Sequence, residues 1–244
     1  MGINSRVFDL LATHCRREDK DGRALIAGYP DMVVDIETLK KHITQPLALR
    51  VDSKQSEIQR MHGWDRPVPD AHDVFRELGY RLTIIDIHAE HGEEEIVDLN
   101  RDGRGHKALW IDESLHGGGG WKRFVRRYYD LVVDHGTIEH CFNIGQAALT
   151  LISAVPVNGW MVQHLPFSMA NHGFYNINPT WFFDLYEANG FEIIHFEAVH
   201  RDETFEMPRH ERFRGAPEDS LCTMIARRVK AIPPTMPIQR RYQR

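Results

Sequence analysis

The sequence predicts an α/β fold with a mostly parallel sheet, and three observations carry that prediction. Short apolar runs rich in β-branched residues alternate with amphipathic segments along most of the chain. Several of these runs stop at a glycine or a carboxylate: Ala24–Ala27 before Gly28, Arg81–Ile85 before Asp86, Leu131–Val133 before Asp134. The last two runs, Phe191–Glu197 and Leu221–Ala226, follow one another with no helical pattern between them. Strands buried on both faces read as continuous apolar runs, and a late pair without a crossover helix calls for an antiparallel strand at one end.

Composition narrows the function. With 244 residues, 42% hydrophobic and 27% charged, the chain can bury one large core. A net charge of −5 excludes a nucleic-acid binder driven by bulk electrostatics, so no nucleic-acid partner is expected. Cys15, Cys141 and Cys222 are far apart and form no CxxC pair, which fits a reducing compartment. No apolar run reaches bilayer length and no signal-like segment opens the chain, so the expectation is a cytoplasmic protein without a membrane partner.

In chain order, Ser5–Asp19 has helical apolar spacing with Ser5 as its N-cap. Ala24–Ala27 is the first strand, and it must stop before Pro30, which has no N–H to give. Ile36–His42 is a short helix. Residues 44–73 show no period and contain Met61-His62-Gly63-Trp64, so they read as an insertion over a site or a lid. Ala71–Leu78 is a helix ended by Gly79. Arg81–Asp86 and Ile96–Asn100 are the second and third strands, and Ala108–Ile111 is a short strand or helical turn. Gly117–Gly120 reads as a linker, and Lys122–Tyr128 as a basic helix. Leu131–Val133 is the fourth strand, followed by a helix over Asn143–Ala154. Trp160–Leu165 is the fifth strand, Thr180–Asn189 a helix ended by Gly190, and the late pair completes seven strands. Arg201–Asp219 reads as irregular. The expected organisation is one domain over residues 1–230 and a Pro/Arg-rich, extended, weakly ordered tail over 231–244.

Ligands of open α/β sheets bind at the carboxyl ends of the strands. Asp134, His135, Glu139 and His140 fall at such an end. Glu139 and His140 equally suit the N-terminus of the following helix, where the dipole favours the acid but not a histidine cation.

The run Tyr129-Asp130-Leu131-Val132-Val133-Asp134-His135-Gly136-Thr137-Ile138-Glu139-His140, with Asn158-Gly159-Trp160 opening the next strand, resembles the class I S-adenosylmethionine-dependent methyltransferases. The likeness continues through His172-Gly173-Phe174-Tyr175-Asn176 and Leu185–Glu192, covering about 82–226. It implies a Rossmann-like fold with a seven-stranded, mostly parallel sheet carrying one antiparallel strand and helices on both faces. It implies S-adenosylmethionine as cofactor, with Asp86 at the ribose hydroxyls, Asp98 near the adenine, and His135 and Gly136 against the cofactor. Gly28 and Tyr29 stand where the first glycine loop lies. That loop departs from the family's Gly-x-Gly, reading Ala27-Gly28-Tyr29-Pro30-Asp31.

On this resemblance the chain is a methyltransferase for a small-molecule acceptor bearing a hydroxyl or amine, such as a sugar or secondary metabolite. His140 and His172 are the first candidates for the base and His164 a further one, since neutral imidazole is the usual base near neutral pH. The alternative is a methyltransferase-like scaffold without catalysis, acting as a binding or assembly subunit; the proline-bearing first loop favours it. A homodimer is compatible with either. Dinucleotide binding would need Gly-x-Gly-x-x-Gly after the first strand, which is absent. Among the 15 histidines, His135, His140, His164 and His172 could converge on a metal, but no His-x-x-x-His pair or carboxylate-bracketed triad is present, so spacing predicts no metal.

Overall fold

The central sheet contains, in chain order, β1 (Gly22–Ala27), β2 (Tyr80–Asp86), β3 (Glu95–Ile96), β4 (Leu131–Asp134), β5 (Trp160–Pro166), β6 (Phe191–His200), β7 (Glu203–Glu206) and β8 (Leu221–Arg228). Its spatial order is β7-β6-β8-β5-β4-β1-β2-β3. Pairing is parallel from β3 through β2, β1 and β4 to β5, and antiparallel for β5–β8, β8–β6 and β6–β7. This is the Rossmann-like order of class I methyltransferases plus one strand. The eighth strand, β7, folds back on β6 from within the segment read as irregular. The computed structural model describes residues 2–50, 58, 62–89, 91–102, 106–112, 124–201, 203–207 and 217–243.

Alternating residues of the parallel strands feed two cores, as strand pleating requires. On one face Leu25, Ala27, Val132, Met161 and Leu165 pack with helix residues Ala148, Leu151, Ile152, Phe182 and Tyr186. On the other, Ala24, Ile26, Leu131, Val133 and Val162 pack with Phe8, Leu11, Val74 and Phe75. The first layer is α4 (Ile144–Ala154) and α5 (Pro179–Ala188); the second is α1 (Ser5–Cys15), α2 (Ile36–His42) and α3 (Ala71–Glu77). Among the described residues no helix is long and apolar enough to cross a membrane.

Several local expectations are corrected. α1 stops at Cys15, and its cap is Asn4, whose side chain accepts the Val7 N–H at 3.0 Å; the Ser5 hydroxyl instead accepts the Asp35 N–H at 2.9 Å. The third strand ends at Ile96 because the Asp98 carboxylate accepts the Asn100 N–H at 3.0 Å and turns the chain. Phe124–Arg126, read as helix, is a strand antiparallel to Trp110–Asp112, as its aromatic and β-branched residues prefer. The glycine run 117–120 lies outside the described residues. The tail from Ala231 is irregular as far as a 3₁₀ turn at Arg240–Tyr242, and it is tied down. Thr235 and Asn189 exchange two hydrogen bonds at 2.8 and 2.9 Å, Arg228 donates to the Ile232 carbonyl at 2.7 Å, and the Arg240 N–H reaches Asp184 at 3.1 Å. The ends of the 44–73 segment meet, since Leu49–Arg50 pairs with Val68–Pro69.

One ion cluster fastens α1 to β6. Arg6 donates two hydrogen bonds to Glu197, at 2.9 and 2.7 Å, and His195 Nε2 lies 3.0 Å from the same carboxylate. Burial pushes the Glu197 pKa up, but Arg6 and His195 outweigh it and hold it at about 2. A depressed acid pKa stabilises the fold above its unfolded value and loses that contribution as pH falls toward the folded one. Arg6 is partly exposed, so screening keeps the contribution small. Glu197→Gln is therefore expected to cost about 1–2 kcal/mol near neutral pH, with the gap to wild type closing as pH falls from about 4 toward about 2. Urea unfolding across that range checks it; a pH-independent gap would assign the loss to packing.

Candidate active site

The chain leaves β1 toward β2 and β4 toward β5, in opposite directions across the sheet. The carboxyl ends of the adjacent strands β1 and β4 therefore border the crevice where open α/β sheets bind ligands. Gly28, directly after β1, has φ +81° and donates its N–H to the Ile85 carbonyl at 2.8 Å. A Cβ at this position would lie 2.6 Å from Thr137 Oγ1. That hydroxyl donates to the Ala27 carbonyl at 2.8 Å, and the Thr137 N–H donates to Asp134 at 3.0 Å. Gly136, with φ +109°, forms the turn on the β4 side. The two loops thus meet through backbone, glycine and one hydroxyl.

Asp86 closes β2 beside them. Its Oδ1 accepts the N–H groups of Ile87 (2.6 Å) and His88 (3.3 Å), and its Oδ2 accepts that of Tyr29 at 3.3 Å. A carboxylate offers about four lone-pair positions, so one remains for a ligand hydroxyl in this arrangement. The Tyr29 ring stacks on His91, 3.5 Å between centroids, and His91 Nδ1 lies 2.8 Å from Glu94. This stack was not legible in the sequence. Asp98 is engaged locally, with Asn100 at 3.0 Å and Arg101 at 3.3 Å.

Beneath the β4 turn is a buried polar line. Asp134 accepts from Gln163 at 2.9 Å, and Gln163 accepts the Tyr186 hydroxyl at 2.6 Å. Burial raises the Asp134 pKa, and the Gln163 and backbone hydrogen bonds only partly oppose it. A glutamine inside the apolar run of β5 is the sequence signal for this line. His135 is buried, with Nε2 3.4 Å from the Tyr29 carbonyl and, among the described residues, no hydrogen-bond partner for Nδ1. Burial takes its pKa well below the usual imidazole range, so it is neutral.

Glu139 and His140 do not cap the helix. They lie in a 3₁₀ turn, Ile138–His140, and Asn143 caps α4. The loop after β5 brings His172 to this turn: His140 and His172 have ring centroids 5.1 Å apart, and their Nε2 atoms lie 3.6 and 3.5 Å from Glu139 Oε1. Burial lowers both imidazole pKa values, that of His140 further because His172 faces it. Burial, and then Asp134, raises that of Glu139. His164 does not join them; it is buried in β5, hydrogen-bonded to Thr223 at 2.8 Å, and burial lowers its pKa to about 4. Burial pushes the Cys141 thiol up to about 12, which removes it as a nucleophile. Phe142 and Phe174 are exposed and meet edge to face at 5.5 Å, each two residues beyond one of the paired histidines.

No family model and no curated protein sequence matches the chain. Solved structures similar to it include TehB from Haemophilus influenzae, at 10% identity and TM-score 0.39, covering 79% of this chain and 66% of that one. A SAM-dependent methyltransferase from Thermotoga maritima is similar at 13% identity and TM-score 0.37, covering 92% and 88%. The trans-methyltransferase CalH, solved with S-adenosylhomocysteine, is similar at 11% identity and TM-score 0.39, covering 92% and 55%. The fold class itself is defined by the strand order of this chain, a Rossmann-like fold of the class I methyltransferase type, with Gly28, Asp86 and Gly136 at or just after the carboxyl ends of β1, β2 and β4.

The groups at these strand ends could hold a nucleoside cofactor. Two left-handed glycines keep the loop backbones free of side chains, and among the described residues one acceptor position remains on Asp86 and the Nδ1 of buried His135 has no partner. Gly28→Ala is expected to destabilise the protein by about 1–3 kcal/mol, from left-handed backbone strain and the clash with Thr137. Denaturant titration measures it. Wild-type stability in that variant would mean that Thr137 does not limit the loop.

Proposed function

We propose that the chain is an S-adenosylmethionine-dependent methyltransferase acting on a small acceptor that carries a hydroxyl or an amine. The observation that supports it most is the switch point, where two glycine turns and the Asp86 carboxylate converge on one crevice. The cofactor supplies a methyl group already activated on a sulfonium, so the protein's task is alignment and exclusion of water. Asp86 takes one ribose hydroxyl, and the backbone of Gly28–Tyr29 and of His135–Gly136 lines the cofactor from either side. Asp98 serves the adenine end, where its remaining acceptor capacity faces an amino group.

His140 and His172 stand on the acceptor side. Their lowered pKa values keep them neutral near neutral pH, the form that can take the acceptor's proton. Phe142 and Phe174 give the apolar body of the acceptor a surface; aromatic rings serve sugars and ring-bearing metabolites alike.

A second reading, a scaffold that binds without catalysis, is favoured by one observation: the first loop carries Pro30 and a Tyr29 ring stacked on His91 where the family has a Gly-x-Gly run. Titration calorimetry with S-adenosylmethionine and S-adenosylhomocysteine decides whether the crevice takes the cofactor. Micromolar binding is expected, weakened about tenfold in Asp86→Ala by loss of a charge-assisted hydrogen bond. Absence of binding by both ligands would refute the enzyme reading. Unchanged affinity in Asp86→Ala would remove Asp86 from the ribose.

A further inference from the structure

Glu139 poses a problem that the chain's own hydrogen bonds do not solve. Its side chain is 0% exposed, yet neither carboxylate oxygen accepts a hydrogen bond among the described residues. Burying an unpaired carboxylate costs several kcal/mol, so Glu139 is either protonated or paired with a cation, and the two imidazoles beside it favour a cation.

The nearest polar atoms are His140 Nε2 at 3.6 Å and His172 Nε2 at 3.5 Å, both measured to Oε1. These separations exceed a hydrogen bond, but they match two ligands of one tetrahedral ion. With metal–nitrogen and metal–oxygen bonds of about 2.0–2.2 Å, two such ligand atoms stand roughly 3.4 Å apart. One ligand atom from each of the three side chains lies within 4.8 Å of the others. His172 Nε2 is itself buried, with no hydrogen-bond partner among the described residues.

The backbone holds the arrangement from both sides. The Phe174 N–H donates to the Glu139 carbonyl at 2.9 Å, and Gly173 lies so close to Glu139 that a Cβ there would meet its Cγ and carbonyl oxygen at 3.0 Å. Glu139 and His140 come from the 3₁₀ turn after β4, and His172 from the loop after β5. Spacing alone therefore gives no metal signature, and the sequence expectation of no metal followed from that.

We propose that Glu139, His140 and His172 bind a divalent first-row transition ion. Two imidazoles and a carboxylate suit zinc, cobalt, nickel or iron(II) rather than magnesium or calcium, which prefer all-oxygen sets. Three protein ligands leave a coordination position open, and the half-exposed His140 gives access to it. Binding of the ion stands on the geometry alone. Its use rests on the methyltransferase reading: with both Nε2 atoms coordinated, the ion at its open position would lower the pKa of an acceptor hydroxyl, replacing the histidine base of the metal-free site.

The test is titration of chelator-treated protein with Co²⁺, followed by its visible absorption, and with Zn²⁺ by calorimetry. One equivalent is expected, with the intense bands of a four-coordinate cobalt site. Glu139→Gln and His172→Ala should each weaken binding on the order of a hundredfold, with circular dichroism confirming that both fold. No uptake at millimolar metal would overturn the proposal, as would unchanged uptake in the His140→Ala/His172→Ala double variant, which would place the ion on another histidine. S-Adenosylhomocysteine titrations on the same samples separate the two claims. Cofactor binding without metal uptake sinks the ion alone, whereas metal uptake without cofactor binding leaves the ion and sinks the methyltransferase reading.

Discussion

Everything at the crevice depends on how closely the ends of β1 and β4 approach. The Thr137 hydroxyl reaches across to the Ala27 carbonyl at 2.8 Å and occupies the space a side chain at position 28 would need. That contact forces a glycine, and the glycine's left-handed backbone directs its N–H to Ile85 on the neighbouring strand. Tyr29 follows, and its N–H lands on Asp86. One hydroxyl thereby sets the path of the first loop and couples three strand ends into a single rim.

The other side of the β4 turn follows from the same strand end. Asp134 is fixed below by Gln163 and above by the Thr137 N–H, so the chain turns tightly through Gly136 into the 3₁₀ segment. Glu139 is then carried inward and His140 outward. The loop after β5 returns His172 against this turn. The rim of Gly28, Asp86 and Gly136 and the cluster of Glu139, His140 and His172 are thus built on one strand and the turn that leaves it.

Much of the fold was legible because its strands are short apolar runs closed by a charge or a glycine. Asp86 and Asp134 mark strand ends in the sequence as they do in the structure. What was not legible came from contacts that local pattern does not encode. Asp98 turns the chain early through its own side chain, so the third strand shrinks to Glu95–Ile96. The tail is held by Asn189, which reaches Thr235 from the end of α5. β7 pairs with the far end of β6, over Glu197–His200. At the site, the strand-end positions could be read from topology. The meeting of Glu139 with His172 could not, because it is made between loops from two strands and depends on the small side of Gly173.

The central claim is that one cofactor touches both sides of the switch point. Hydrogen–deuterium exchange with and without saturating S-adenosylhomocysteine tests it directly. The account predicts slowed exchange at Gly28–Tyr29, Asp86–His88 and Gly136–Ile138 together. Protection confined to one side of the crevice, or absent from all three, would contradict it.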